Sequence, residues 1–202
     1  MEGLIQASVT RMPIQQLYEY LLVAHPDEEV NNKLKTEKRL FYETYKEKIA
    51  VATQPHLTIA NFLASEAMEE TLIRWMHRIC REQRSFNVAL NNYSGFPPHT
   101  IYVRVQNELP FKKLAKAFKV IDEYIQMNAC PPAKFITKPH VSIARKLPVQ
   151  VYEKAMRDYS QKLFHETFMV NELILLRTKH QFDSCKVINV FQLPAAEDLF
   201  AA

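Results

Sequence analysis

Glycine is almost missing from this chain: its 202 residues include two, Gly3 and Gly95. Walker loops and dinucleotide-binding turns need several clustered glycines so that the backbone can approach phosphate, so both kinds of site are excluded. If the chain handles phosphate, side chains must hold it. Cysteine is also scarce. Cys80, Cys130 and Cys185 are scattered, odd in number and form no CxxC, which argues against a disulfide framework and for reduced thiols in the cytoplasm. No apolar run reaches the ~18 residues of a membrane span. The stretch MEGLIQASVTRMPIQQ has no basic leader followed by an apolar segment. The expectation is a cytoplasmic protein with no membrane partner.

The remaining composition is that of a globular chain, 48% hydrophobic and 24% charged. Its net charge of +4 is compatible with an anionic ligand without requiring one. Alternating signals of period 2 and period 3.6 organise it. Residues 16–24 read as a strand, and Pro26 with Asp27, Glu28 and Glu29 opens a helix running to about Lys48. Residues 56–63 alternate like a strand, and Ser65 is an expected N-cap for a helix over 66–83. Strands follow near 85–91 and 100–106, then a helix over 110–127, an irregular connection (NACPPAKFITKP) and a strand from His140. A helix over 148–163 precedes two closing strands, FMVNELILLR and SCKVINVFQL.

Two of the seven histidines sit in one repeated setting, QPHLTIANF and KPHVSIARK, with His140 following His56 by 84 residues. After His56, a helix and two strands begin near offsets 10, 29 and 44; after His140 the offsets are near 8, 28 and 45. Each half therefore reads strand, helix, histidine-bearing strand, helix, strand. This predicts one domain over 1–202 of α+β class: two duplicated lobes related by a pseudo-two-fold axis, with antiparallel-rich sheets, flanking helices and a central cleft. Along a strand, residues two apart share a face. His56 and Thr58 then project together, as do His140 and Ser142, with Leu57, Ile59, Val141 and Ile143 on the opposite faces. His165 has a hydroxyl at the same spacing but lacks the proline and the flanking aliphatics. The pattern is complete only at His56 and His140.

Paired His-hydrophobic-Ser/Thr-hydrophobic motifs on related strands resemble the two-histidine phosphoesterase superfamily. PHVSIAR resembles the second motif of its 2′-5′ RNA ligase-like and cyclic phosphodiesterase group, and SGFPPHTIYVRV and the closing strands also fit. Ser142 stands where threonine is commoner, and the first motif has no equivalent of Arg145. The resemblance implies an enzyme without cofactor that opens, or in reverse forms, cyclic or 2′-5′ ribose phosphodiesters on RNA ends or nucleotides. His56 and His140 would be its acid and base, and Thr58, Ser142 and Arg145 its phosphate contacts. Arg145 lies five residues after His140, on the wrong face of a regular strand, and needs a bend or strand end to reach the phosphate.

The chemistry suits these residue types. Histidine has an unperturbed pKa of about 6.5 and serves as acid or base near neutrality. Hydroxyls donate to the oxygens on which charge accumulates. No carboxylate or thiolate repeats beside the histidines, so no metal is expected. Tyr102 and Arg104 are candidates for base stacking and phosphate contact, against the competing reading of a polar outer face. Lys112, Lys116 and Lys119 read as a solvated basic stripe rather than an RNA track. A non-catalytic RNA- or nucleotide-binding protein that keeps the cleft is the alternative, and a monomer is the expected state.

Overall fold

The structure is a computed structural model that describes residues 16–178 and 185–196. His180 and the sequence MEGLIQASVTRMPIQ therefore lie outside the described residues. Within the described residues, nine strands and five helices alternate along the chain: β1 Leu17–Ala24, α1 Glu28–Tyr45, β2 Leu57–Ser65, α2 Glu69–Glu82, β3 Phe86–Phe96, β4 Thr100–Val105, α3 Leu109–Ala117, α4 Lys119–Met127, β5 Lys134–Phe135, β6 His140–Ala144, α5 Val149–Tyr159, β7 His165–Val170, β8 Glu172–Thr178 and β9 Lys186–Gln192. The class is α+β, and these strands pair antiparallel throughout.

The nine strands form one sheet in the order β7-β3-β4-β6-β2-β1-β8-β9, with β5 against β2. The two motif strands, β2 and β6, are neighbours, joined at a single residue pair, Leu57 with Val141. On either side of this seam the halves match: β2 is followed by β1 and then β8, and β6 by β4 and then β3. Each half of the sequence thus contributes its later strand to the other half's side of the sheet. The described strands form one continuous sheet in which β3 and β8 lie on the side of the other half.

The sheet must also curl back on itself. The sequence FMVNELILLR reads as one strand, but Asn171 divides it into β7 and β8, which lie near opposite ends of the strand order. Residues 170 and 172 can occupy those places only if the ends approach one another. Backbone bonds close the gap: Leu193 N–H donates to the Asn171 carbonyl at 2.7 Å, and Ser85 N–H to the Pro194 carbonyl at 2.8 Å.

Helix positions follow local chemistry. Asp27 caps α1, its Oδ1 accepting from Val30 N–H at 2.9 Å, with Glu28 and Glu29 in the first turn. Ser65 does not cap α2 through its side chain; a 3-10 turn over Glu66–Met68 leads into the helix instead. The helix expected over 110–127 breaks at Phe118 into α3 and α4, although Phe111, Leu114, Phe118, Ile121 and Ile125 all reach the core. No described helix is long and apolar enough to cross a membrane.

Gly95, in β3, shows why this chain keeps a glycine. A Cβ there would collide with the hydroxyl of Tyr152 on α5 and press on Met156. Gly95→Ala is expected to destabilise the fold by about 1–3 kcal/mol through overpacking, read as a lower urea midpoint. An unchanged midpoint would show that α5 accommodates the methyl group.

Candidate functional site

The pairing of Leu57 with Val141 fixes how the motifs meet. Residues directly opposite in an antiparallel pair share a face. Extending that register by one residue each way sets His56 against Ser142 and Thr58 against His140. The reverse faces are buried, Leu57, Val141 and Ile143 completely and Ile59 to within 1%. The four polar side chains are half-buried on the other face. The expected sidedness of both motifs is what the structure has.

The two histidines are held identically. His56 Nδ1 lies 2.8 Å from the Gln54 carbonyl, and His140 Nδ1 lies 2.8 Å from the Lys138 carbonyl. A carbonyl only accepts, so Nδ1 carries the proton in each ring and Nε2 presents its lone pair. The intervening prolines, Pro55 and Pro139, are buried and explain the geometry. Proline fixes its own φ and confines the residue before it to extended backbone, which aims that residue's carbonyl at the imidazole.

Arg145 reaches the motif face through a bulge. Across β4 and β6, Tyr102 pairs with Ser142 but Ile101 pairs with Ala144, leaving Ile143 as the extra residue. Ile143 and Ala144 are consecutive and both buried, so the alternation inverts, and Arg145, just past the strand end, acts electrostatically on His56 and Lys38. The first motif does the same: Val23 pairs with Thr58 and Leu22 with Ala60, leaving Ile59 extra. Asn61 is therefore the counterpart of Arg145. Its amide donates to Glu19 Oε1 at 2.7 Å.

The two histidines have different surroundings. His140 adjoins an aromatic plate: Phe96 and Tyr102 stack with ring centres 4.4 Å apart, and the imidazole lies 5.0 Å from the first and 4.9 Å from the second. Arg104 pairs with His140 in the ladder, is exposed, and donates from Nε to the Asn91 carbonyl at 3.1 Å. His56 instead faces cations. Burial is the main cause that lowers its pKa to about 4, and His25, Lys38 and Arg145 lower it further, against the opposing bond to Gln54. Burial also lowers His140, partly offset by the Lys138 carbonyl. Both imidazoles are thus neutral at pH 7.

Sequence reading missed Phe96, Asn61, Glu19 and Lys38. For Lys38 a signal existed: it continues the α1 stripe of Val30, Leu34 and Phe41, and it is buried with them. Lys112, from the basic stripe, pairs with Glu108 at 2.9 Å. Among the described residues, no group of three or more His, Cys, Asp or Glu could hold a metal ion.

Because the His56 pKa is depressed in the fold, the unfolded chain binds more protons between pH 6.5 and 4. The His56 contribution to stability is then complete above about pH 6.5 and is lost as pH falls toward 4. Urea unfolding at pH 7 and 4.5 should show a smaller acid-induced loss for His56→Ala than for the wild type. An equal loss would mean that His56 titrates normally.

The family model of the 2′-5′ RNA ligase superfamily matches residues 26–181. No curated protein matches the chain. E. coli LigT, solved with 3′-AMP, is similar with a TM-score of 0.60 and 14% identity, over 88% of this chain and 98% of that one. TT0787 of Thermus thermophilus is similar with a TM-score of 0.59 and 18% identity, over 88% of this chain and 98% of that one. At such identities the solved structures speak for the fold. The family match spans both histidine motifs, and the chain belongs to the 2′-5′ RNA ligase superfamily.

Proposed function

We propose that this protein is a metal-independent phosphodiesterase that opens 2′,3′-cyclic or 2′-5′-linked ribose phosphodiesters at RNA ends or in nucleotides. The observation that carries this reading is the meeting of two identically oriented His-x-Ser/Thr motifs on one face at the β2–β6 seam. For a cyclic phosphate, a water attacks phosphorus as one Nε2 takes its proton. The bond from phosphorus to one ribose oxygen breaks, and that oxygen takes a proton from the other, protonated imidazole. Thr58, Ser142 and Arg145 are suited to hold the non-bridging oxygens.

The surroundings favour distinct roles. His56, facing His25, Lys38 and Arg145, resists protonation and suits the base. His140, beside the aromatic plate, suits the acid, its protonation favoured once the phosphate's negative charge is bound. Phe96 and Tyr102 offer a stacking surface for a nucleobase next to His140, with Arg104 at its edge. LigT has been solved with 3′-AMP, with phosphate, with NADP+ and with ATP, ligands that share a phosphate group. The cations around His56 would repel a metal ion there.

The test is hydrolysis of 2′,3′-cyclic nucleotides and of RNA with a cyclic phosphate end, in excess chelator. His56→Ala and His140→Ala should each cost about 10²–10⁴-fold in rate, and the double variant little more, because the two act as a unit. Thr58→Val and Ser142→Ala should each lose roughly 3–4 kcal/mol of transition-state stabilisation while remaining folded. Wild-type turnover by both histidine variants would defeat the proposal. Tight RNA binding without any turnover would favour the non-catalytic alternative.

A further inference from the structure

Lys38 stands between Leu34 and Phe41 on the buried stripe of α1 and is 4% exposed. Its ammonium donates to the Ser142 carbonyl at 3.2 Å and lies 3.4 Å from the Thr53 hydroxyl. Ser142 belongs to the second motif, and Thr53 precedes His56 by three residues. One buried group therefore links the two segments that carry the histidines.

Among the described residues this charge has no counter-ion. No carboxylate pairs with Lys38; the charged group acting on it is Arg145, and it acts in turn on His56. A buried ammonium is costly unless it is compensated, and two neutral oxygens compensate it only in part. Burial, with Arg145 adding to it, lowers the Lys38 pKa to about 8, which leaves the amine charged at pH 7. An anion at the seam would relieve the cost.

We infer that Lys38 is a positioning residue of the phosphate site, one that pins the two motif segments across the seam and adds a buried positive charge to that of Arg145. The inference rests on the phosphodiesterase reading for the identity of the anion. The charged and polar groups around the ammonium are Thr53 and His56 from the segment before β2, and Arg145 and Ser142 from β6 and its end, with His25 coupled through His56. Both of these histidines are lowered below 6.5 and are neutral above pH 7. Arginine stays charged throughout. Arg145 also acts on the Cys185 thiol, which burial and Glu19 raise above its ordinary value, so as pH rises from 7 Lys38 is the group at this site that titrates first.

Sulfate keeps its charge over that range and serves as the probe, by calorimetry on the full chain at constant ionic strength. Wild-type affinity should fall roughly tenfold from pH 7 to 9.5, the weight of one pKa unit on Lys38. Lys38→Met should bind about tenfold more weakly at pH 7 and show little pH dependence. A residue that only packs would give neither result. If the variant does not fold, the same pH dependence measured in a Cys185→Ser background, which removes the thiol that Arg145 also acts on, carries the test. Wild-type affinity that is flat with pH, a variant equal to wild type, or no sulfate binding at pH 7 would each overturn the inference. Lys38-dependent sulfate binding without cyclic phosphodiester hydrolysis would sink the enzymatic reading and leave this one standing.

Discussion

One backbone pairing, Leu57 with Val141, governs the geometry of the whole seam. It alone joins β2 to β6 among the described residues, yet it fixes the register of both motifs. Side chains alternate with period two, so a slip of one residue would set Leu57 against Ser142 and mismatch the two faces. The cores beneath the seam guard against this. Leu57, Ile59, Val141 and Ile143 are buried to within 1%, and a slipped strand would have to expose them. The interlocking of the halves adds to this, since β3 and β8 each lie on the side of the sheet begun by the other half.

A second layer of control comes from the bulges. Ile59 and Ile143 are the extra residues in their strands, at the same place in each motif. Each bulge returns the fifth residue after the histidine to the polar face, giving Asn61 on one side and Arg145 on the other. Backbone geometry is thus duplicated while chemistry is not. One side of the seam gathers Arg145, Lys38 and His25 around His56; the other sets Phe96 and Tyr102 against His140. A symmetric pair of imidazoles sits in an asymmetric field.

Much of this was legible in the sequence because it depends on local period. The histidines, the hydroxyls, the buried aliphatics and the prolines that orient both rings follow from alternation and from the repeat. The reach of Arg145 was not legible, because a bulge is defined only against a partner strand. The division of FMVNELILLR at Asn171 was hidden for a similar reason: both pieces are apolar, and only the curl of the sheet sends them to opposite ends. Phe118 stays on the apolar stripe of its helix, so spacing alone gave no sign of the break there. Lys38 was missed because a lysine on an apolar stripe reads as an interruption. In this protein it fills the stripe with a charge aimed at the seam.

The mechanism stands on both motifs acting on one phosphate. A crystal structure of the chain with 3′-AMP bound examines that point without intermediaries. The mechanism places the phosphate at the β2–β6 seam, with Nε2 of both His56 and His140 within hydrogen-bond reach and the adenine against Phe96 and Tyr102. A phosphate held by one histidine alone, or bound away from the seam with both Nε2 atoms unengaged, would contradict it.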